Sequence, residues 1–220
     1  MRKIFNQSGI QIIDDVLAPH DLAVLTPWAE RLTYRGVHID RWRSVWRLGD
    51  GEPLRGPTWL MSRVDAVSRH GLGVKSCPAE LEPLAAVLRV MFLDGNRSSA
   101  RASLTPWIYP PGTALGLHRD DGDLDGSYIF YFSRDWDVHW GGLLHCMVEP
   151  ANDSVPARAI LNPDEERKSV CLAGPGIWVS PAPNRLVILD SYVRHFISRV
   201  DSNAGDRPRL TISGFAHRPI

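Results

Sequence analysis

The sequence has 220 residues, 44% of them hydrophobic, and its 25 Lys and Arg residues balance 25 Asp and Glu residues. This length suits one domain with a sizeable core, and the zero formal net charge argues against a nucleic-acid surface, which needs an excess of cations. No apolar run approaches the ~20 residues that span a bilayer, and no signal-like apolar segment follows the N-terminal cations. We therefore expect a single domain, 1–220, in a cytoplasmic protein that binds neither membrane nor nucleic acid.

The three cysteines are widely spaced and odd in number, and no two of them form a CxxC pair; they are Cys77, Cys146 and Cys171. Such spacing supports no disulfide framework. We expect three reduced thiols that pack in the interior of a cytosolic protein.

Two helices are predicted in the first hundred residues, each with one apolar face. The first follows a short strand within residues 9–17 and runs from Pro19 to about Arg31. Its apolar residues recur at helical spacing: Leu22, Leu25, Trp28, Ala29 and Leu32. The second runs from Pro78 to Leu93, because proline suits a first helical turn. Its buried stripe is Leu81, Leu84, Ala85, Leu88 and Phe92.

Between these helices, the segment Arg41-Trp-Arg-Ser-Val-Trp-Arg47 alternates cations with aromatic and aliphatic residues. One interpretation is a twisted edge strand whose arginines extend along apolar surface to reach solvent. The other is a flap over a pocket, in which Arg41, Arg43 or Arg47 receives an anionic group of a substrate. Trp59, in the apolar run that follows, is a further candidate for contact with substrate.

From residue 100 onward, Gly, Pro and Asp punctuate short runs of β-forming residues. Eight strands are predicted: 102–109, 115–118, 127–132, 142–148, 176–180, 185–189, 193–200 and 208–216. Short strands with turn signals between them indicate a closed barrel or a double-sheet jelly roll. We expect a mainly β fold with flanking helices, in which 101–217 form the core and 1–100 support it. The polar excursion 149–175 is expected to be a surface loop.

His118-Arg-Asp120 places an imidazole and a carboxylate two positions apart in a predicted strand. Side chains at i and i+2 of a strand share a face, so the pair can offer one nitrogen and one oxygen to a single metal ion. His195, at the start of a late strand, supplies a third ligand. Two histidines and a carboxylate leave open coordination positions, as in non-haem Fe(II) oxygenases. A structural zinc site would need a fourth protein ligand, although a catalytic zinc site fits the ligand count.

Arg209 and Thr211 are also two positions apart, and Arg209 follows His195 by fourteen residues. A guanidinium and a hydroxyl side by side can bind one carboxylate. A catalytic zinc site gives this pair no role, whereas an oxygenase with an acidic co-substrate does.

Several further motifs occur in a recognisable order. They are Ile12-Ile-Asp-Asp-Val-Leu, Trp107-Ile-Tyr109-Pro-Pro-Gly112, His118-Arg-Asp120, Ile129-Phe-Tyr131-Phe-Ser-Arg-Asp-Trp136, Trp140-Gly-Gly-Leu143, Ser180-Pro-Ala-Pro-Asn184-Arg185-Leu-Val-Ile-Leu, His195, Arg209-Leu-Thr211 and Gly214-Phe215-Ala-His217. From about residue 100 to 217 the chain resembles the Fe(II)/2-oxoglutarate-dependent dioxygenases, in particular the prolyl-4-hydroxylase-like branch. Residues 34–75 match no part of that pattern.

The resemblance implies a double-stranded β-helix, the cupin-like jelly roll. It implies that three side chains bind Fe(II): His118, Asp120 and His195. It also implies contacts to 2-oxoglutarate, with the C5 carboxylate on Arg209 and Thr211, Tyr109 lining the pocket, and Tyr131 a candidate for the C1 carboxylate. O2 is the other co-substrate, and ascorbate is expected as a supporting reductant.

The usual reaction in this family is hydroxylation of an unactivated C–H bond. Halogenases of the superfamily carry Gly or Ala at the position of Asp120, so the carboxylate here favours hydroxylase, desaturase or cyclase chemistry. A compact, neutral domain favours a small-molecule substrate: an amino acid, a carrier-bound amino acid or a natural-product intermediate. A peptidyl or protein hydroxylase of the prolyl type is the alternative. His145, on a strand in the middle of the barrel, is a further candidate for contact with substrate.

Three other readings have less support. A nucleic-acid demethylase with the same metal ligands carries an arginine six residues after the co-substrate arginine, where this chain has Phe215. A non-catalytic β-helix binding module commonly lacks a metal ligand or the arginine, and this chain has all four. A kinase loop around His118-Arg-Asp120 lacks the accompanying Gly-rich and Asp-Phe-Gly motifs.

Overall fold

A computed structural model describes residues 1–37, 48–62, 77–94, 99–120, 124–148 and 175–219. Thirteen strands lie within these ranges: β1 (Arg2–Gln7), β2 (Ile10–Asp14), β3 (Arg35–Gly36), β4 (Leu54–Arg55), β5 (Trp59–Ser62), β6 (Arg101–Tyr109), β7 (Leu115–His118), β8 (Leu124–Tyr131), β9 (Leu144–Met147), β10 (Gly176–Val179), β11 (Arg185–Asp190), β12 (His195–Ile197) and β13 (Arg209–His217). Two α-helices accompany them in the same ranges, α1 (Pro19–Glu30) and α2 (Glu82–Leu88). No helix in the described part of the chain is long and apolar enough to cross a membrane.

Within the described ranges, the strands form two antiparallel sheets. The larger sheet has the order β1-β2-β11-β8-β13-β6-β4-β3, with β5 also paired to β6, and the smaller has the order β10-β9-β12-β7. Each of the eight predicted strands after residue 100 is present, with ends that differ by a few residues. The predicted mainly β fold with flanking helices, a double-stranded β-helix, is confirmed.

Alternation along β6 separates the two faces of the larger sheet. Ala102 and Leu104 belong to a core shared with the helices, whereas Thr105, Trp107 and Tyr109 face a cavity between the sheets. This follows from the period of two along a strand. The face of the sheet toward the helices is therefore filled by packed side chains. The opposite face lines the cavity.

The two helices cover the outer face of the larger sheet. The predicted first helix is confirmed, since α1 spans Pro19–Glu30. The second is shorter than predicted: α2 begins at Glu82, and a π-helical turn over Arg89–Leu93 follows it. Pro83 explains the late start, because proline lacks the N–H that an interior helical position must donate, yet fits a first turn. All five predicted stripe residues of α2 and its extension are buried.

Four strands are absent from the sequence prediction: β1, β3, β4 and β5. β1 is largely exposed, and β3 and β4 are two residues long, so none of these three strands carries an alternating apolar pattern. Cys77 and Cys146 are free thiols, half-buried and buried respectively, and Cys171 lies outside the described residues.

Replacing Leu88 by alanine is expected to destabilise the fold by about 3 kcal/mol, because it leaves a cavity in the core between α2 and the larger sheet. Leu88 is fully buried there. Val90, two residues later, is 60% exposed, so Val90→Ala should change stability by less than about 0.5 kcal/mol. Urea unfolding of both variants measures the difference. Equal effects would show that α2 does not dock on the sheet as described.

Candidate active site

Three potential metal ligands meet where β7 faces β12 in the smaller sheet. His118 ends β7, His195 begins β12, and the two residues are direct cross-strand partners. Asp120 follows β7 by two positions. One ligand atom from each of the three residues lies within 4.8 Å of the others. The carboxylate is centred between the rings, since its Oδ1 is 3.9 Å from Nε2 of His118 and its Oδ2 is 3.9 Å from Nε2 of His195.

Backbone carbonyls orient both imidazoles. Nδ1 of His118 lies 2.8 Å from the carbonyl oxygen of Gly116, and Nδ1 of His195 lies 3.0 Å from that of Val193. A carbonyl only accepts hydrogen bonds, so each Nδ1 carries the hydrogen and each Nε2 presents its lone pair to the space beside Asp120.

Burial, together with the neighbouring His195 ring, lowers the pKa of His118 from 6.5 to about 4. The ring is therefore neutral at physiological pH, as a metal ligand must be. Three buried side chains with converging donor atoms fit a divalent metal ion that keeps open coordination positions.

Arg209 lines the same cavity and is fully buried. Its Nη2 donates to the hydroxyl of Tyr131 at 3.2 Å, and its guanidinium carbon lies 5.0 Å from the ring centre of Tyr109 and 4.9 Å from that of Tyr131. Its Nε has no acceptor among the described residues, and the one carboxylate among the described residues that line the cavity is that of Asp120. A buried guanidinium without an anion is costly, so this position is suited to the carboxylate of a bound acid.

The four predicted co-substrate residues come together around this guanidinium. Arg209 is the cross-strand partner of Tyr109, and Thr211 is that of Tyr131. Arg209, Thr211 and Tyr109 line the cavity together with His118, Asp120 and His195. Burial raises the pKa of Tyr109 to about 12 and also raises that of Tyr131, so both phenols stay neutral.

The prediction for Tyr131 is corrected in one respect. Its side chain is fully buried behind Arg209, to which its hydroxyl is bonded, and it is not part of the cavity lining. It is therefore placed to hold the guanidinium and not to contact the C1 carboxylate of a co-substrate.

The motif Trp140-Gly-Gly-Leu143 makes room for this arrangement. Gly142 has φ +62°, and a Cβ there would lie 3.0 Å from Cδ of Arg209. Gly141 has φ +64°, and a Cβ there would clash with the backbone oxygen of Arg199. The two glycines thus allow the chain after Trp140 to pass close to Arg209 and to the end of β12.

Two predicted substrate contacts are contradicted by the register of the sheets. Trp59 is opposite Leu104 on β5–β6, so it faces the helical core, where its ring centre is 5.6 Å from that of Trp28. His145 is opposite Phe196, and its ring stacks on Phe196 at 4.4 Å on the outer face of the smaller sheet. The predictions for Arg41, Arg43 and Arg47 lie outside the described residues.

The cavity itself has a volume of about 420 Å³, which is in the range of small-molecule sites. Sequence reasoning did not identify several polar residues that also line it: Arg55, Thr58, Ser103, Thr105, Ser127 and Ser213. For Ser103 and Thr105 the signal was available, because they share the parity of Trp107 and Tyr109 on a predicted strand.

No protein-family model matches the sequence, and no curated protein matches it significantly. Solved structures do match along nearly the whole chain. A prolyl-4-hydroxylase from Pseudomonas putida superposes with a TM-score of 0.62 at 19% identity, covering 96% of this chain and 93% of that one. A prolyl hydroxylase from Trichoplax adhaerens, in complex with a hypoxia inducible factor peptide fragment, has a TM-score of 0.55 at 12% identity, covering 96% and 84%.

A third match is the non-haem α-ketoglutarate-dependent carbocyclase SnoK from nogalamycin biosynthesis. It superposes with a TM-score of 0.56 at 14% identity, covering 96% of this chain and 79% of that one. At identities this low, the three superpositions establish the architecture alone. The chain therefore has the double-stranded β-helix fold of the prolyl-4-hydroxylase and 2-oxoglutarate–Fe(II) oxygenase structures.

Proposed function

We propose that the protein is an Fe(II)- and 2-oxoglutarate-dependent dioxygenase that hydroxylates an unactivated C–H bond of a small molecule. One observation carries this proposal: the buried His118, Asp120 and His195 cluster and the buried Arg209, whose Nε lacks an acceptor among the described residues, line one cavity. A three-ligand site and a separate carboxylate receptor together match a metal-chelating keto acid. A metal site alone would not need the arginine.

In this function, Arg209 and Thr211 hold the C5 carboxylate of 2-oxoglutarate, and the three metal ligands hold Fe(II). When bound, Fe(II) would couple the oxidative decarboxylation of 2-oxoglutarate by O2 to hydroxylation of the substrate, giving succinate and CO2. Tyr131 keeps the guanidinium in place through its hydroxyl, and the backbone carbonyls of Gly116 and Val193 keep both imidazoles aimed at the metal. Ascorbate would act as a supporting reductant.

The side chains that line the cavity also limit the access of water to it. Trp107, Tyr109, Leu115, Ile129 and Ile197 form much of its apolar wall. Such a wall excludes solvent from the co-substrate and strengthens the charged contacts of Arg209. The side chains of the protein thus bind, orient and shield the co-substrate.

Two observations favour a small substrate. The cavity measures about 420 Å³ and must also contain 2-oxoglutarate, and one matching structure is described as a carbocyclase from a biosynthetic pathway. A peptidyl or protein hydroxylase is the second candidate, because two matching structures are prolyl hydroxylases and one of them holds a peptide.

Anaerobic addition of Fe(II) and 2-oxoglutarate should produce the weak visible charge-transfer band of an iron–keto acid complex. Succinate release should then be screened against amino acids, short peptides and metabolite extracts, with His118→Ala as the blank. We expect the band with wild type and its loss in the blank. Absence of the band from wild type would favour a binding module, and turnover only with an intact protein would favour the second candidate.

A further inference from the structure

Phe215 on β13 has serine neighbours on three sides, and all four residues line the cavity. Ser127 on β8 is its cross-strand partner, and Ser103 on β6 accepts its backbone N–H through Oγ at 3.0 Å. Ser213 lies two residues earlier on β13, so it shares the face of Phe215. We call Phe215, Ser103, Ser127 and Ser213 the Phe215 patch.

Strand pairing is interrupted where Ser103 meets Phe215. The ladder between β13 and β6 runs up to Ser213 and resumes at Ala216. In the gap, the N–H of Phe215 donates to Oγ of Ser103, and the carbonyl of Ser103 accepts from the hydroxyl of Tyr128 at 2.7 Å. Bonds to side chains thus fix the oxygen of the Ser103 hydroxyl at the cavity wall, while its hydrogen remains available to a ligand.

The three serines are shielded from solvent, yet their hydroxyls are not used by the protein. Ser103 is 7% exposed and Ser127 is 5% exposed, and Ser213 is half-buried. No described residue accepts a hydrogen bond from any of these hydroxyls. Buried polar groups are normally hydrogen-bonded, so the serines are suited to a ligand that bonds to them inside the cavity.

The chemistry and spacing of the serines favour a ligand with several hydroxyls. A serine hydroxyl donates and accepts at one oxygen, as an alcohol does, whereas a carboxylate only accepts and an amide N–H only donates. Ser103 and Ser127 lie on the two strands that flank β13, so their backbones are roughly 10 Å apart. They therefore contact different groups of a ligand.

Phe215 supplies an apolar surface between these hydroxyls. Its half-buried side chain lines the cavity. A saturated ring that carries hydroxyls has a face of C–H groups and a polar edge. Its face can cover the phenyl ring, which removes apolar surface from water, while its hydroxyls reach the serines around Phe215.

We propose that the Phe215 patch binds the second substrate, and that this substrate is an uncharged ring compound with several hydroxyls. The inference rests on the proposed function, since it assigns the substrate class of that same cavity. The patch contains no ionisable group, so it selects by hydrogen bonds and apolar contact and not by charge.

Binding is tested without turnover, by calorimetry on protein loaded with Mn(II) and saturated with 2-oxoglutarate. The polyhydroxylated probes are methyl β-glucopyranoside and cis-1,3,5-cyclohexanetriol. The comparison probes are cyclohexanol, cyclohexanecarboxamide and cyclohexanecarboxylate, which carry one hydroxyl, an amide or a charge on a six-membered ring. We expect at least one polyhydroxylated probe to bind, and the comparison probes to bind about tenfold or more weakly, because they leave buried hydroxyls unpaired.

Ser127→Ala and Ser213→Ala should each weaken binding of the polyhydroxylated probe by about three- to tenfold. Because neither hydroxyl bonds to a described residue, both variants should unfold at the wild-type temperature. Phe215→Ala should weaken cyclohexanol as well, since it removes the apolar contact. Ser202→Ala changes an exposed serine outside the cavity and is the matched control, which should bind like wild type.

The inference fails if a comparison probe binds as tightly as the polyhydroxylated probes, if no probe binds, or if both serine variants bind like wild type. A separate titration of 2-oxoglutarate distinguishes this from failure of the proposed function. If 2-oxoglutarate does not bind the metal-loaded protein, the proposed function fails. If it binds but polyhydroxylated rings are not preferred, only the inference about the Phe215 patch fails.

Discussion

Replacing His118 by alanine is expected to lower succinate release by roughly three orders of magnitude, because two ligands hold a divalent metal far less tightly than three. His145→Ala is the matched control. Both histidines lie on strands of the smaller sheet, but His145 stacks on Phe196 on the outer face. That variant should keep wild-type turnover and metal affinity. Fe(II) affinity and substrate-dependent succinate release measure the contrast.

Asp120→Gly provides a second test of the same site. It removes the carboxylate between the two imidazoles, so Fe(II) binding should weaken and hydroxylation should be lost. Hydroxylation at the wild-type level in this variant would show that the metal ligands are misassigned. A drop in turnover for His145→Ala equal to that for His118→Ala would point instead to a general loss of structure in the smaller sheet.

Replacing Arg209 by methionine is expected to weaken 2-oxoglutarate binding by about 3 kcal/mol, roughly a hundred- to two-hundredfold. The substitution removes the charge that pairs with the C5 carboxylate in the proposed function and keeps much of the buried volume. Without co-substrate, the same variant should be as stable as wild type or more stable, because it no longer buries a guanidinium that lacks an anion. Calorimetry with 2-oxoglutarate and thermal unfolding with and without it measure both effects.

Arg207→Met is the control for this substitution. Arg207 is exposed and lies 5.1 Å from the ring centre of Trp140, outside the cavity. It should leave co-substrate affinity unchanged, and saturating 2-oxoglutarate should still raise its unfolding temperature by binding linkage. If Arg209→Met binds 2-oxoglutarate as tightly as wild type does, the carboxylate receptor lies elsewhere.

Much of the candidate site was predictable because its residues come in pairs with strand spacing. His118 with Asp120, and Arg209 with Thr211, each share a face through the period of two, whatever the rest of the chain does. The apolar stripe from Leu81 to Phe92 was predictable for a similar reason, since helical periodicity is local. The wrong start of α2 also has a local cause, because Pro83 lacks the N–H that an interior helical position donates.

The wrong predictions concern which side chains of a strand point into the cavity. Trp59 and His145 lie on real strands, but their cross-strand partners Leu104 and Phe196 turn them away from the cavity. Tyr131 lies beside the right arginine, yet its full burial makes it a support for the guanidinium. Each outcome depends on pairing between segments far apart in the chain, and a single sequence does not specify that register.

The spacing of residues within each strand therefore established which residues share a face. The order of the motifs along the chain indicated that His118-Arg-Asp120 belongs with His195 and Arg209. Long-range strand pairing then brought β7 opposite β12, which places the two imidazoles with ring centres 4.3 Å apart. It also placed Arg55 beside Trp107 in the lining of the cavity, although no motif indicated Arg55. Side-chain direction repeats within a strand and can be read from spacing, whereas cross-strand neighbours are set by the packing of the whole fold.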